Sequence, residues 1–177
     1  MKNTADNNEE FFDIYDIDRK ITGRLHRRGD ELKPGEYRLV AHTCIFNSEN
    51  KLLIQKRQSS KKFFPNMWDL SAGGSALAGE TSRETAEREV LEELGIKIDL
   101  TNKMPRFTLN FDDGFDDYYM INKDVNIKDV IIQKEEVQDV RWASKEEIIN
   151  LKKEGLMVQY FFLEQIFELK ETMGFDI

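Results

Sequence analysis

Three glutamates constrain this chain more than any other feature. Glu89, Glu92 and Glu93 stand at i, i+3 and i+4 within Ser82–Leu94. Both ends of that stretch carry helix signals: Thr81 and Glu84 have capping-box spacing, and Gly95 stands just past the last turn. At about 100° per residue the three carboxylates share one narrow face, while Ala86, Val90, Leu91 and Leu94 occupy another arc. The helix must therefore pack through one side and carry three like charges on a different one. Unattended, those charges repel, raise one another's pKa values and destabilise the helix. A divalent cation removes the conflict. Mg²⁺ suits best, because it takes hard oxygen ligands and completes its shell with water and phosphate. An acidic cluster on a helix is by default a solvated face, so the decision rests on what flanks it.

The flanking order is Gly74, five residues, Glu80, seven residues, Arg88-Glu89, Val90, one residue, Glu92-Glu93, one residue, Gly95, Ile96. This resembles the Nudix signature with no departure. From average residue usage, its nine defined positions arise by chance in such a chain with a probability on the order of 10⁻⁸ to 10⁻⁷. The resemblance implies an α+β fold, a Nudix-type α/β/α sandwich around a mixed β-sheet, covering Tyr37 to about Lys153. It implies a Mg²⁺-dependent hydrolase, with Mn²⁺ as the alternative ion, that cleaves a diphosphate linkage in a nucleoside diphosphate derivative. Glu89, Glu92 and Glu93 would be metal ligands, joined by the Gly73 carbonyl and assisted by Glu80. Arg88 would orient Glu89, the first choice as base. Glu136, beside Glu135, matches the place from which many family members add a carboxylate outside the signature. A solvated loop is an equal reading of that pair.

Leu53-Ile54-Gln55-Lys56-Arg57, then Lys61, Pro65, Trp68 and Ser71-Ala72-Gly73-Gly74, is similar to the branch containing isopentenyl-diphosphate isomerases. In those enzymes an arginine and a lysine four residues later hold the diphosphate. Arg57 and Lys61 keep that spacing and are candidate phosphate contacts. The isomerase cysteine, histidine and acid fall near Gly73, Ser75 and Tyr118, and a metal-site histidine near Arg38; all are replaced. Hydrolysis is therefore preferred over isomerisation, and over a Nudix-fold protein that binds a nucleotide without turning it over.

Around the box, alternation predicts an edge hairpin at Phe11–Asp16 and Arg19–Arg24. It predicts a core hairpin at Tyr37–Phe46 and Lys51–Lys56, joined by the turn Asn47 to Asn50. Further strands are expected at Trp68–Ala72, Ile96–Leu100, Arg106–Phe111, Tyr118–Asn122 and Val137–Trp142. Later helices are expected at Ser144–Lys153 and Met157–Met173. Residues 1–10 read as a flexible acidic tail, and 11–177 as one Nudix domain with an N-terminal hairpin and a C-terminal helix. His42 reads as a satisfied structural histidine, and Asp112 to Asp117 as a solvated turn.

Charge excludes little: 26 basic against 34 acidic side chains give −8, which disfavours a nucleic-acid polymer but not a small phosphorylated ligand. With one cysteine, Cys44, and two histidines, neither an internal disulfide nor a Cys/His zinc site can form. No apolar run is long enough for a membrane span. A cytoplasmic protein with a small-molecule diphosphate substrate is expected; a homodimer and a monomer both remain open.

Overall fold

The computed structural model describes residues 10–171. The nine strands are β1 (Phe11–Tyr15), β2 (Ile21–Arg27), β3 (Arg38–Phe46), β4 (Leu52–Arg57), β5 (Trp68–Asp69), β6 (Ala72–Ser75), β7 (Phe107–Phe111), β8 (Gly114–Asn122) and β9 (Val137–Ala143). The helices are α1 (Ser82–Leu94), α2 (Lys145–Lys153) and α3 (Ile166–Glu171). The mixed sheet runs β5-β4-β3-β8-β7, with β6 on β3 and β9 on β4. Among the strands of the described residues, β3 and β8 pair in parallel, from Arg38↔Gly114 to Phe46↔Asn122, and the other strand pairs are antiparallel. The outcome is the expected α+β sandwich.

Strand periodicity explains the layers. On β3 and β4, Ile45 and Leu53 face α1 and pack with Ala72, Val90 and Leu94. Their neighbours Cys44, Phe46, Leu52 and Ile54 face the opposite way, against Ile148 and Leu151 of α2 and Ile166 and Phe167 of α3. Both α1 and α2 begin with complete capping boxes, at Thr81/Glu84 and Ser144/Glu147, and Gly95 closes α1 with φ 67°.

The central hairpin departs from its expected form. The strands β3 and β4 share a single pair, Phe46↔Leu52, and then diverge. The segment after Met67 enters the split, pairing first with β4 through Trp68 and Asp69, then with β3 through Ala72 to Ser75. Ser71 bridges the crossing: its Oγ accepts from the Ile45 N–H at 2.9 Å and donates to the Leu53 carbonyl at 2.6 Å. One expected strand, Trp68–Ala72, is thus two short ones, because each half serves a different partner.

Two other expectations fail for tertiary reasons. Ile96–Leu100 is not a strand. Ile96 and Leu100 instead bury in the two clusters around α1, and the Leu100 N–H donates to Glu87 Oε1 at 2.6 Å. Met157–Met173 is helical only from Ile166 within the described residues. Upstream, the Trp68 N–H bonds the Leu156 carbonyl and the Val158 N–H bonds the Trp68 carbonyl, so sheet pairing holds this segment extended.

The first hairpin forms a separate two-stranded sheet, placed against the loop that opens the box. The Tyr15 and Tyr37 backbones bond each other, the Ala78 N–H donates to the Phe11 carbonyl at 2.8 Å, and Asp13 accepts from the Gly79 N–H at 2.7 Å. Glu10 already belongs to this structure, since its carbonyl accepts from the Arg28 N–H. The remainder of the expected tail lies outside the described residues.

Candidate active site

Two adjacent glycines let β6 pass between His42 and α1. A Cβ on Gly73 would lie 2.2 Å from the His42 ring, and one on Gly74 would lie 2.2 Å from Glu89 Oε1. Strand β6 therefore runs between His42 on one face and Glu89 on the other, so close that a Cβ would have to displace the facing side chain.

Arg88 organises the carboxylates. Its Nε donates to Glu80 Oε1 at 2.7 Å, and Nη2 donates to Glu80 Oε2 at 3.0 Å and to the Ser75 carbonyl at 3.2 Å. Its Nη1 reaches Glu89 at 2.8 Å and Glu92 at 3.1 Å. Burial works to raise the Glu80 pKa, but bonds from Arg88, the Leu77 N–H and Thr85 bring it below the usual range. Glu80 is thus a firm anchor for the guanidinium that spans Glu89 and Glu92.

Glu89 and Glu93 lie one turn apart and are both buried, at 9% and 6% exposure, whereas the Glu92 side chain is half exposed. Burial raises the Glu89 pKa despite the opposing pull of Arg88. Glu93 is pushed up to about 8, by burial first and by the Glu89 charge second. Its Oε2 accepts from Gln55 Nε2 at 2.8 Å and from the Gly73 N–H at 3.3 Å. Among the described residues, no three acidic, histidine or cysteine side chains already converge around one point; Arg88 occupies the space between Glu89 and Glu92. The donor chemistry nevertheless fits a hard divalent ion: oxygen donors only, with the Glu89 and Glu93 carboxylates buried on a helix face where their charges conflict.

The remaining candidates lie in ion pairs at the neighbouring strand ends. Arg57 Nη1 donates to buried Asp69 at 3.0 Å, and Lys61 is paired with Glu136. The loop carrying Glu136 is tied to the end of α1, with the Gln133 N–H donating to the Glu93 carbonyl at 3.0 Å. The structure thus brings Gly73, Gly74, Glu80, Arg88, Glu89, Glu92 and Glu93 together and sets Arg57, Lys61 and Glu136 at its flank.

Sequence reasoning missed a polar group on the other side of β6. Asp116 and Asp117, read as part of a solvated turn, are buried in β8 at 9% and 2% exposure. Asp116 takes the His42 Nδ1 at 2.7 Å and the Tyr118 hydroxyl at 2.6 Å; Asp117 is paired with Arg19 at 2.8 Å. Burial works to lower the His42 pKa, but Asp116 outweighs it and raises it. His42 stacks on Tyr118 at 5.1 Å, and Tyr118 on Phe107 at 4.6 Å. The shared parity of His42 and Tyr118 on paired strands was the available signal; their register was not. His42, Asp116 and Tyr118 line a cleft of 560 Å³, whose wall includes Arg38, Gly74, Ser75, Asn110, Phe111 and Phe161. Gly74 is therefore common to the carboxylate group and the cleft.

Comparison with known proteins identifies the family and the fold. A NUDIX domain matches residues 36–164. An uncharacterized Nudix hydrolase of Listeria monocytogenes is 54% identical over 163 residues, covering 92% of this chain and 96% of its own length. An isopentenyl-diphosphate Delta-isomerase of Salmonella heidelberg is 33% identical over 101 residues, 56% of each chain. The crystal structure of the Deinococcus radiodurans protein DR0079 superposes with a TM-score of 0.73 at 23% identity, covering 92% of this chain and all of that one; at that identity the likeness speaks for the fold.

Proposed function

The chain belongs to the Nudix hydrolase family, and from that premise we propose that it cleaves a diphosphate linkage in a nucleoside diphosphate derivative, using Mg²⁺ or, alternatively, Mn²⁺. The observation that carries this reading is the pair of buried carboxylates, Glu89 and Glu93, facing each other across one helical turn beside an arginine anchored by Glu80.

Glu89, Glu92, Glu93 and the Gly73 carbonyl would hold the ion, with Glu80 acting through Arg88. When bound, the ion neutralises diphosphate oxygens and makes a water more acidic. Glu89 is our choice to accept the proton as that water attacks phosphorus, because its raised pKa brings it nearer the working range of a base. Arg88 fixes its carboxylate, while half-exposed Glu92 would turn toward the ion by giving up its 3.1 Å bond from Arg88. Arg57 and Lys61 would reach phosphate oxygens by exchanging Asp69 and Glu136 for them, which would in turn release the Glu136 carboxylate toward the site.

A nucleoside derivative is favoured by the cleft beside Gly74, whose volume is in the range of small-molecule sites and whose lining mixes Phe111, Tyr118 and Phe161 with Asn110 and Arg38. No helix among the described residues is long and apolar enough to cross a membrane; a lone cysteine, Cys44, fits a reducing compartment, and we place the protein in the cytoplasm on that ground.

The test is product release from nucleoside di- and triphosphates, sugar nucleotides and prenyl diphosphates with Mg²⁺, comparing the natural protein with Glu92→Gln and Glu93→Gln. Metal-dependent cleavage of one class, reduced at least about a hundredfold in both variants, is expected. Ligand-induced stabilisation without turnover would favour a binding protein. Conversion of isopentenyl diphosphate without phosphate release would favour the isomerase.

A further inference from the structure

The face of β4 that looks toward α1 carries Leu53 and then Gln55. Period-two alternation puts both on the same side, where Leu53 joins an apolar cluster with Val90 and Leu94. Gln55 is 3% exposed, and a carboxamide at that depth costs free energy unless its polar atoms are matched. A hydrocarbon of the same length would fill the position without that cost. What the amide meets is Glu93: Nε2 donates to Oε2 at 2.8 Å, and the Gly73 N–H donates to the same oxygen at 3.3 Å.

Two donors from different strands thus converge on one oxygen of a buried side chain. Glu93 is fixed in torsion by them, and Oε1 is the atom left with no bond from either. Backbone pairing locks the amide's origin, since Gln55 stands in register between Asp69 of β5 and Val140 of β9. The Gly73 N–H, held in β6 by pairing with β3, cannot follow Glu93 if it rotates.

We propose that Gln55 is a positioning residue for the metal site: it holds Glu93 through Oε2 so that Oε1 alone is presented to the divalent ion. The proposal rests on the metal-dependent reading above. It differs from the signature residues in kind, because Gln55 lies 19 residues before Gly74 in the chain and does not itself touch the ion. Partners that orient a ligand in this way typically contribute about tenfold to a hundredfold in metal affinity.

The experiment is Mn²⁺ titration of the full chain, read by the electron-paramagnetic signal of free ion, with no substrate present. Gln55→Met removes the donor at nearly equal volume. It is expected to keep the fold, judged by circular dichroism and melting, and to weaken Mn²⁺ binding about tenfold to a hundredfold. In a Glu93→Gln background the same change is expected to have no further effect, because the side chain it positions is no longer a carboxylate. Gln55→His, which restores a donor, should recover part of the affinity. Unchanged affinity in Gln55→Met overturns the proposal alone, as does an equal loss with and without Glu93. Absence of Mn²⁺ binding by the natural protein overturns both this proposal and the metal-dependent reading.

Discussion

At Gly74 a single hydrogen atom separates a working geometry from a displaced one. The contact it would violate on gaining a methyl group is with the end of the Glu89 side chain, which can swing aside without moving backbone. Gly74→Ala is therefore expected to leave the melting temperature nearly unchanged while lowering hydrolysis about a hundredfold, the scale of an ångström-sized misplacement. Equal activity in the two proteins would show that Glu89 tolerates displacement. Glu93 yields a second expectation, in pH. Its folded pKa of about 8 lies above the ordinary 4.5, so the native state binds the proton more tightly than the unfolded chain does. The stability this contributes is complete below about 4.5 and is lost as the pH rises through about 8. Metal-free protein should melt progressively earlier across that window. Glu93→Gln should flatten the change, and Mg²⁺ should restore stability at its upper end. A profile identical in the natural chain and the variant would contradict the assignment. The residues that make these effects visible were legible in the sequence because their spacing is set by one helix. Asp116 and Asp117 were not, since a run of aspartates around a glycine has ordinary turn chemistry and only pairing with β3 buries it.

Among the elements, α1 was read to its exact ends because its signals are local. Thr81 accepts from the Glu84 N–H, the Glu84 carboxylate returns to the Thr81 N–H, and Gly95 takes the left-handed conformation that ends the helix. Thr81→Ala should cost about 1 kcal/mol of stability, measured by urea denaturation. A cost near zero would mean that packing of Val90 and Leu94 alone holds the first turn. Elsewhere, local signals were overruled. The apolar spacing after Met157 is compatible with a helix, yet Trp68 captures its first residues as sheet. Ile96–Leu100 has strand composition, but Ile96 and Leu100 bury around α1 and the Leu100 N–H is taken by Glu87, so its backbone leaves the ladder.

Considered as a whole, the molecule joins its first hairpin to the sandwich through backbone bonds, the packing of Tyr15 with Leu39, Ala76 and Phe115, and an ion pair, and we propose that residues 11–171 fold as one domain. Arg19 supports this directly: its guanidinium makes two bonds to buried Asp117 while its own side chain is 38% exposed. Arg19→Ala should destabilise the protein by about 2 kcal/mol, the cost of leaving a buried carboxylate short of partners, discounted for the solvent that reaches Arg19. Equilibrium unfolding should remain a single transition; an early separate phase would show that the hairpin folds independently. The sequence by itself determined the carboxylate-bearing helix, its caps, the identity of its glutamates and the place of the central strands, because each depends on neighbours within a few positions. Tertiary structure alone decided that β3 and β4 part to admit Ser71, that His42 meets Asp116 across 74 residues, and that Gln55 lies beneath Glu93. Those contacts arise from strand register, which is set by the summed packing of the whole sheet and leaves no mark at the residues it joins.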